Sequence, residues 1–193
     1  MAGGRIGLLG GSFNPAHAGH RQVAELARKR LRLDQVWLLV SPGNPLKPQR
    51  GMAPLSQRLA SARRIADGTR VIATAVEARL GTRYTADTLR LLLRRFPRVR
   101  FVWLMGADIL LQLPHWRRWR DILCGIAIAV LPRPGYNRAA RKGQAAQLMR
   151  HHRQRERAAS CVPGHAPCWV FLHVPQTAIS ATAIRASRKG TVP

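Results

Sequence analysis

The sequence predicts an α/β fold: a doubly wound parallel sheet with helices on both faces. Two observations lead there. Short apolar runs of strand length alternate with amphipathic stretches of helix length from residue 5 to residue 188, and this alternation builds right-handed βαβ units. The segments richest in Gly, His and Asp directly follow apolar runs. Ligands of such sheets bind there, outside the carboxyl ends of strands near a topological switch point. At 193 residues, 46% of them hydrophobic, the chain fits one domain with a full core. The whole of 1–193 is expected to form it.

Each element has its own signal. The run Ile6-Gly7-Leu8-Leu9 marks a first strand over 5–10. Val23, Leu26, Ala27 and Leu31 are spaced for a helix over 19–31. An apolar run over 35–40 is a second strand, ended by the Pro- and Gly-rich stretch 41–48. Ser56 reads as the N-cap of a helix reaching about Asp67. Residues 70–76 suggest a third strand. Leu89, Leu92, Leu93 and Phe96 give a helix over 85–95, stopped by Pro97. A fourth strand over 99–104 precedes Gly106-Ala107-Asp108 and a short helix carrying Leu110, Leu111 and Trp116. A fifth strand over 126–131 ends at Pro132. Residues 137–159 read as one long Arg-rich helix, 169–174 as a sixth strand and 180–188 as a closing helix. The polar, basic stretch 134–167 is expected to be the least ordered. The whole is a Rossmann-like sheet.

Residues 10–20 read Gly-Gly-Ser-Phe-Asn-Pro-Ala-His-Ala-Gly-His, directly after the first strand. His17 and His20 are three apart at a helix start, so one helical face points both at one object. Glycine turns and helix N-termini present free backbone N–H groups, which favour phosphate. Strand, glycine turn, paired histidines and helix start together describe a nucleoside triphosphate site.

This segment resembles the H-x-G-H signature of the nucleotidylyltransferases. In its wider form, G-G-[ST]-F-[DN]-P-x-H-x-G-H, it is similar to the bacterial nicotinate-nucleotide adenylyltransferase family. A second match lies at Ile179-Ser180-Ala181-Thr182-Ala183-Ile184-Arg185, which resembles that family's I-S-S-T-x-I-R, with Ala181 in place of the second Ser. Tyr84-Thr85-Ala86-Asp87-Thr88-Leu89 resembles Y-T-x-x-T-L, and Gly106-Ala107-Asp108 resembles G-A-D. Lys47 matches the last residue of P-P-H-K, although Leu46 replaces the His. Arg133-Pro134-Gly135 matches a strand-end R-P-G.

The resemblance implies adenylyl transfer from ATP to nicotinate mononucleotide, giving deamido-NAD and pyrophosphate. It implies His17, His20 and Arg185 as the catalytic groups. ATP would lie on Gly10, Gly11, Ser12, Phe13, His20, Gly106, Asp108, Ser180, Thr182 and Arg185. The mononucleotide would lie on Lys47, Tyr84, Thr85, Thr88, Trp116 and Arg133, with the Tyr84-Thr85 backbone reading the carboxylate and Trp116 stacking on the pyridine ring. No residue is assigned as a metal ligand. Mg²⁺ is expected to arrive mainly on the ATP phosphates, because the eight acidic residues form no D-x-D pair. No nucleophile elbow and no Walker A loop is present.

The net charge is +25, from 33 basic against 8 acidic residues. Such a charge invites nucleic acid. Two features weigh against a specific site. Only Lys29, Lys47, Lys142 and Lys189 are lysines, an Arg bias that a GC-rich coding sequence also produces. Aromatic residues are 6%, too few for an evident stacking platform. The alternatives are a sibling transferase acting on nicotinamide mononucleotide or phosphopantetheine, or a basic nucleic-acid-binding module without catalysis. Cys124, Cys161 and Cys168 are an odd count without disulfide patterning, and Cys161, His165, Cys168 and His173 lack zinc-site spacing. No apolar stretch reaches a membrane span, and no signal peptide is recognisable, so a cytoplasmic protein without membrane partners is expected.

Overall fold

The structure, a computed structural model, describes residues 3–43 and 51–173. Seven strands form one sheet: β1 (Arg5–Gly11), β2 (Gln35–Val40), β3 (Val71–Thr74), β4 (Arg100–Gly106), β5 (Ala127–Leu131), β6 (Arg153–Gln154) and β7 (Trp169–Phe171). Their order is β3-β2-β1-β4-β5-β7-β6, and every neighbouring pair is parallel. Strands step outward from β1 through β2 to β3 on one side, and from β4 through β5 to β7 on the other, with β6 at the edge. The switch point therefore lies between the carboxyl ends of β1 and β4.

Side-chain alternation divides the core into two layers. Leu8, Phe101, Trp103, Met105, Ile128 and Val130 face one side. That side is covered by α4 (Thr85–Arg95), α5 (Ala107–Gln112), α6 (Trp119–Gly125), α7 (Asn137–Lys142) and α8 (Gln144–Leu148). Leu9, Leu38, Val40, Leu104, Ala129 and Val170 face the other, covered by α1 (Ala18–Leu31), α2 (Leu55–Ile65) and a 3-10 segment, Glu156–Cys161. Burial on both faces is why these strands read as continuous apolar runs. Alanines at 24 and 27 let α1 lie close on the sheet, both fully buried.

Several expectations are corrected. The α2 helix starts at Leu55 behind Pro54, so Ser56 is not its cap, and it ends at Ile65. Asp67 instead folds the next turn: its Oδ1 accepts from the backbone N–H of Thr69, Arg70 and Val71 at 3.0, 2.7 and 2.9 Å. The bond from Val71 and its neighbours hold that carboxyl well below its ordinary value. The third strand stops at Thr74 because the chain turns into α3 (Val76–Arg79). The helix expected over 137–159 is broken. Gly143 closes α7 in an extended conformation and opens α8, and two 3-10 turns and the short β6 follow. Nor is 134–167 loose, since Ala140, Ala145, Ala146, Met149, Ala159 and Val162 are buried. The sixth expected strand is β7, ending at Phe171. The helix expected over 180–188 lies outside the described residues.

Candidate active site

The turn after β1 is shaped by what glycine leaves out. A Cβ on Gly10 would sit 2.5 Å from the Trp103 ring, and one on Gly11 3.1 Å from the Phe13 ring. Phe13 is buried and left-handed at φ 48, a conformation rare for a bulky residue. Its ring packs 4.9 Å from that of His20. Ser12 is half-buried at the same turn.

His17 is the N-cap of α1, and His20 stands in its first turn. Their ring centroids are 3.8 Å apart. The backbone N–H of His17 donates to His20 Nδ1 at 3.2 Å, taking the place of the Glu or Gln usual in a capping box. In the neutral ring that bond leaves the proton on Nε2, so His20 presents an N–H donor outward. Burial, with the charges of His17 and Arg133, pushes the His20 pKa down from 6.5 to about 3. Burial and Arg133 lower that of His17 as well. The pair therefore works as neutral donors at pH 7.

A stability prediction follows from the same shift. Between about pH 6.5 and 3 the unfolded chain protonates His20 and the folded chain resists it, so stability is lost as pH falls through that window. Thermal melts between pH 7 and pH 4.5 should show a smaller loss in His20→Asn than in the unmodified protein. Equal losses would contradict the assignment.

Arg133 ties this pair to the end of β4. Its Nε lies 3.6 Å from Asp108 Oδ1, a buried oxygen with no hydrogen-bond partner among the described residues. The ion pair with Arg133 is what compensates this oxygen. A Cβ on Gly106 would collide with the Asp108 carboxylate and come 3.1 Å from Arg133. The resemblance gave Arg133 to the mononucleotide. The structure places it between the histidines and Asp108.

What holds this turn has no signature in the sequence. Arg58, on α2, is only 2% exposed. Its guanidinium donates to the carbonyls of Ala53, Ser12, Ser41 and Pro42 at 2.8, 2.9, 2.6 and 3.2 Å. One turn on, Ser61 Oγ accepts from Ala16 N–H at 3.1 Å and contacts the carbonyls of Arg58 and Phe13 at 2.8 and 3.4 Å. Asn14 donates to the Gly51 carbonyl at 3.0 Å and accepts from Ala53 N–H at 3.2 Å. The polar face of α2 thus clamps the loops after β1 and β2.

Tyr84 caps α4 and Thr85 begins it. Thr88 is 1% exposed. Its hydroxyl is engaged with Thr82 at 2.8 Å, the Tyr84 carbonyl at 3.3 Å and Glu77 at 3.4 Å. It supports the helix start from beneath. Glu77 is also buried. Burial raises its pKa, against hydrogen bonds from Thr88 and Ser41. A polar chain therefore runs Ser12–Arg58–Ser41–Glu77–Thr88–Tyr84, linking the histidine turn to the start of α4. Trp116 is half-buried and packs partly on the core. Lys47, Ser180, Thr182 and Arg185 lie outside the described residues.

Among the described residues no three His, Cys, Asp or Glu side chains converge to hold a metal ion, and Cys161, His165, Cys168 and His173 make no such group. No helix of the described residues is long and apolar enough to cross a membrane.

Several known proteins similar to this chain share one name. Residues 8–187 match the family described as Cytidylyltransferase-like. A protein of Gluconobacter oxydans (strain 621H) named "Probable nicotinate-nucleotide adenylyltransferase" is 60% identical over 186 residues, covering 95% of this chain and 94% of its own. One of the same name from Parvibaculum lavamentivorans is 53% identical, over 94% and 90%. Among solved structures, a Plasmodium falciparum nicotinic acid mononucleotide adenylyltransferase complexed with NaAD superposes with a TM-score of 0.71 at 15% identity, covering 95% of this chain and 83% of that one. At that identity the likeness speaks for the fold alone. By its match to that family model and its identity to these relatives over nearly their whole length, this chain belongs to the nicotinate-nucleotide adenylyltransferase family of nucleotidyltransferases.

Proposed function

We propose that one nucleotidylyltransferase domain, spanning the chain, moves the adenylyl group of ATP to nicotinate mononucleotide, giving deamido-NAD and pyrophosphate. The observation that carries this reading is the neutral, oriented histidine pair at the N-terminus of α1, beside Arg133 and its ion-pair partner Asp108.

The mononucleotide phosphate is anionic at pH 7, so it attacks the α-phosphorus without a general base. The bond to the leaving pyrophosphate breaks on the opposite side. Rate then comes from alignment and from donors aimed at the charge that develops. His20 Nε2–H and the His17 imidazole donate to the α-phosphate and the leaving oxygens. The backbone from Gly10 to Phe13 cradles the phosphates, and Arg133 adds positive charge beside them. Asp108 accepts from ATP. Ser180, Thr182 and Arg185 are assigned to the triphosphate by their motif, and Lys47 to the mononucleotide by its own. Tyr84 and Thr85 offer helix-start N–H groups to the nicotinate carboxylate, and Trp116 stacks on its ring. Mg²⁺ belongs to this scheme as a companion of the ATP phosphates, which suits a site with no clustered carboxylates among the described residues.

The test is direct. Purified protein with ATP and nicotinate mononucleotide should release pyrophosphate and form one equivalent of deamido-NAD by chromatography. Nicotinamide mononucleotide should give a lower kcat/KM, because an amide NH₂ turned toward N–H donors leaves one unpaired. No mononucleotide-dependent pyrophosphate would refute the reading. Equal kcat/KM for acid and amide would refute the substrate assignment alone.

A further inference from the structure

The loop that carries Trp116 is fastened to the first turn of α4 at two points. The guanidinium of Arg117 lies over the Tyr84 ring, 4.7 Å from its centroid. Arg118, left-handed at φ 54, caps α6 and reaches both Asp121 at 2.6 Å and Asp87 at 3.8 Å. Asp87 stands in the first turn of α4, where its charge would oppose an incoming anion. It is answered twice, by Arg118 and by Arg90 at 2.9 Å. The other acid beneath the subsite is Glu77, buried and hydrogen-bonded by Thr88. Unlike Arg118 and Arg90, Arg117 has no carboxylate within ion-pair distance among the described residues. Its charge is thus uncompensated, stacked on the residue whose backbone opens α4, and it adds to the positive end of the helix dipole there.

We infer that Arg117 is a specificity-determining residue, which favours a mononucleotide bearing an anionic ring substituent over its neutral amide. The inference rests on the proposed function, since it concerns the subsite at Tyr84 and Thr85. The mechanism is electrostatic. A fixed positive charge near the helix start attracts a carboxylate and is nearly indifferent to a carboxamide. Arg117 is exposed, so solvent screens it and the effect is modest: one unit charge at such range alters discrimination by about threefold to tenfold.

The experiment measures kcat/KM for nicotinate and nicotinamide mononucleotides in the unmodified protein, Arg117→Gln and Arg117→Lys, at low and high ionic strength. In Arg117→Gln the acid-to-amide ratio should fall by about threefold to tenfold, almost wholly through the acid, with KM for ATP unchanged. Arg117→Lys should keep most of the ratio. Added salt should lower the ratio in the unmodified protein more than in Arg117→Gln. The inference is overturned if Arg117→Gln leaves the ratio intact, or weakens both mononucleotides equally as loss of a mere clamp would. It is also overturned if Arg117→Lys behaves like Arg117→Gln. Absence of turnover with either mononucleotide in the unmodified protein overturns the proposed function instead, and this inference with it, so the two failures are told apart.

Discussion

Alanine at His20 should lower kcat for adenylyl transfer by about a hundredfold to a thousandfold, the range for losing one preorganised donor to developing charge. Alanine at His17 should cost a similar factor. The size of the effect follows from the state of the rings. Both are neutral at pH 7, because burial and Arg133 depress their pKa values. Neither works as a loosely placed cation that a neighbouring arginine could replace. His20 Nδ1 accepts the backbone N–H of His17, and that bond directs Nε2–H outward. His20→Ala therefore removes a donor and part of the N-terminal cap, the second costing about 0.5–2 kcal/mol of stability. A thermal melt separates the two: the protein should stay folded while kcat collapses. With rings 3.8 Å apart, the pair acts as a unit, and the double variant should lose less than the product of the single losses. Near-normal pyrophosphate release in both single variants would refute the mechanism.

The histidine turn was legible in the sequence because everything that makes it is local. Gly10 and Gly11 end a strand, His17 begins a helix and His20 lies one turn along it. The helix Thr85–Arg95 was legible for the same reason, since its leucines repeat at helical spacing and Pro97 forbids continuation. Where arginines crowd, the signal fails. Over 137–159 basic residues are scattered throughout and the buried positions are mostly small alanines beside Met149, so periodicity shows no break. Yet Gly143 divides the segment into short pieces. Thr88 shows a different limit. Its hydroxyl suits a ligand, but burial turns it toward Thr82, Glu77 and the Tyr84 carbonyl. Position in a motif does not say which way a side chain faces. The grouping of Arg133 with Asp108 depends on adjacent strand ends of β4 and β5, a fact of sheet order rather than of sequence distance. Arg58 was the least legible residue of all. On an amphipathic helix full of arginines it looks like solvated surface, and its burial arises from Ser12, Ser41, Pro42 and Ala53, which only the fold assembles.

Replacing Arg58 by methionine should be the most destabilising single change around the site. The volume is nearly kept, so the loss is polar. Four part-buried carbonyl oxygens lose their donor at once; a fully buried, unpaired polar group costs about 1–3 kcal/mol, and these, partly open to water, cost less each. Relaxation and water entry recover part of this, leaving on the order of 3–5 kcal/mol. For a chain of this length that corresponds to a fall in Tm of roughly 10 °C, at about 2–4 °C per kcal/mol. A surface control such as Arg94→Met, on the exposed side of α4, should change Tm little. Activity should fall with Arg58→Met even well below its Tm. The same guanidinium holds the Ser12 carbonyl of the histidine turn and the Ser41 carbonyl at the end of β2, so the turn loses its fixed position relative to the neighbouring strand end. A shift of about 1 Å in such a turn is enough to cost two orders of magnitude in rate. Arg58→Lys keeps the charge but offers three donors from a point instead of a planar fork. It should recover part of the stability and less of the rate, because a point donor cannot span carbonyls from four positions of the chain. The outcome that would defeat this account is a wild-type Tm and kcat in Arg58→Met. That result would mean the four carbonyls find water as readily as they find the guanidinium, and that the histidine turn holds its shape without α2.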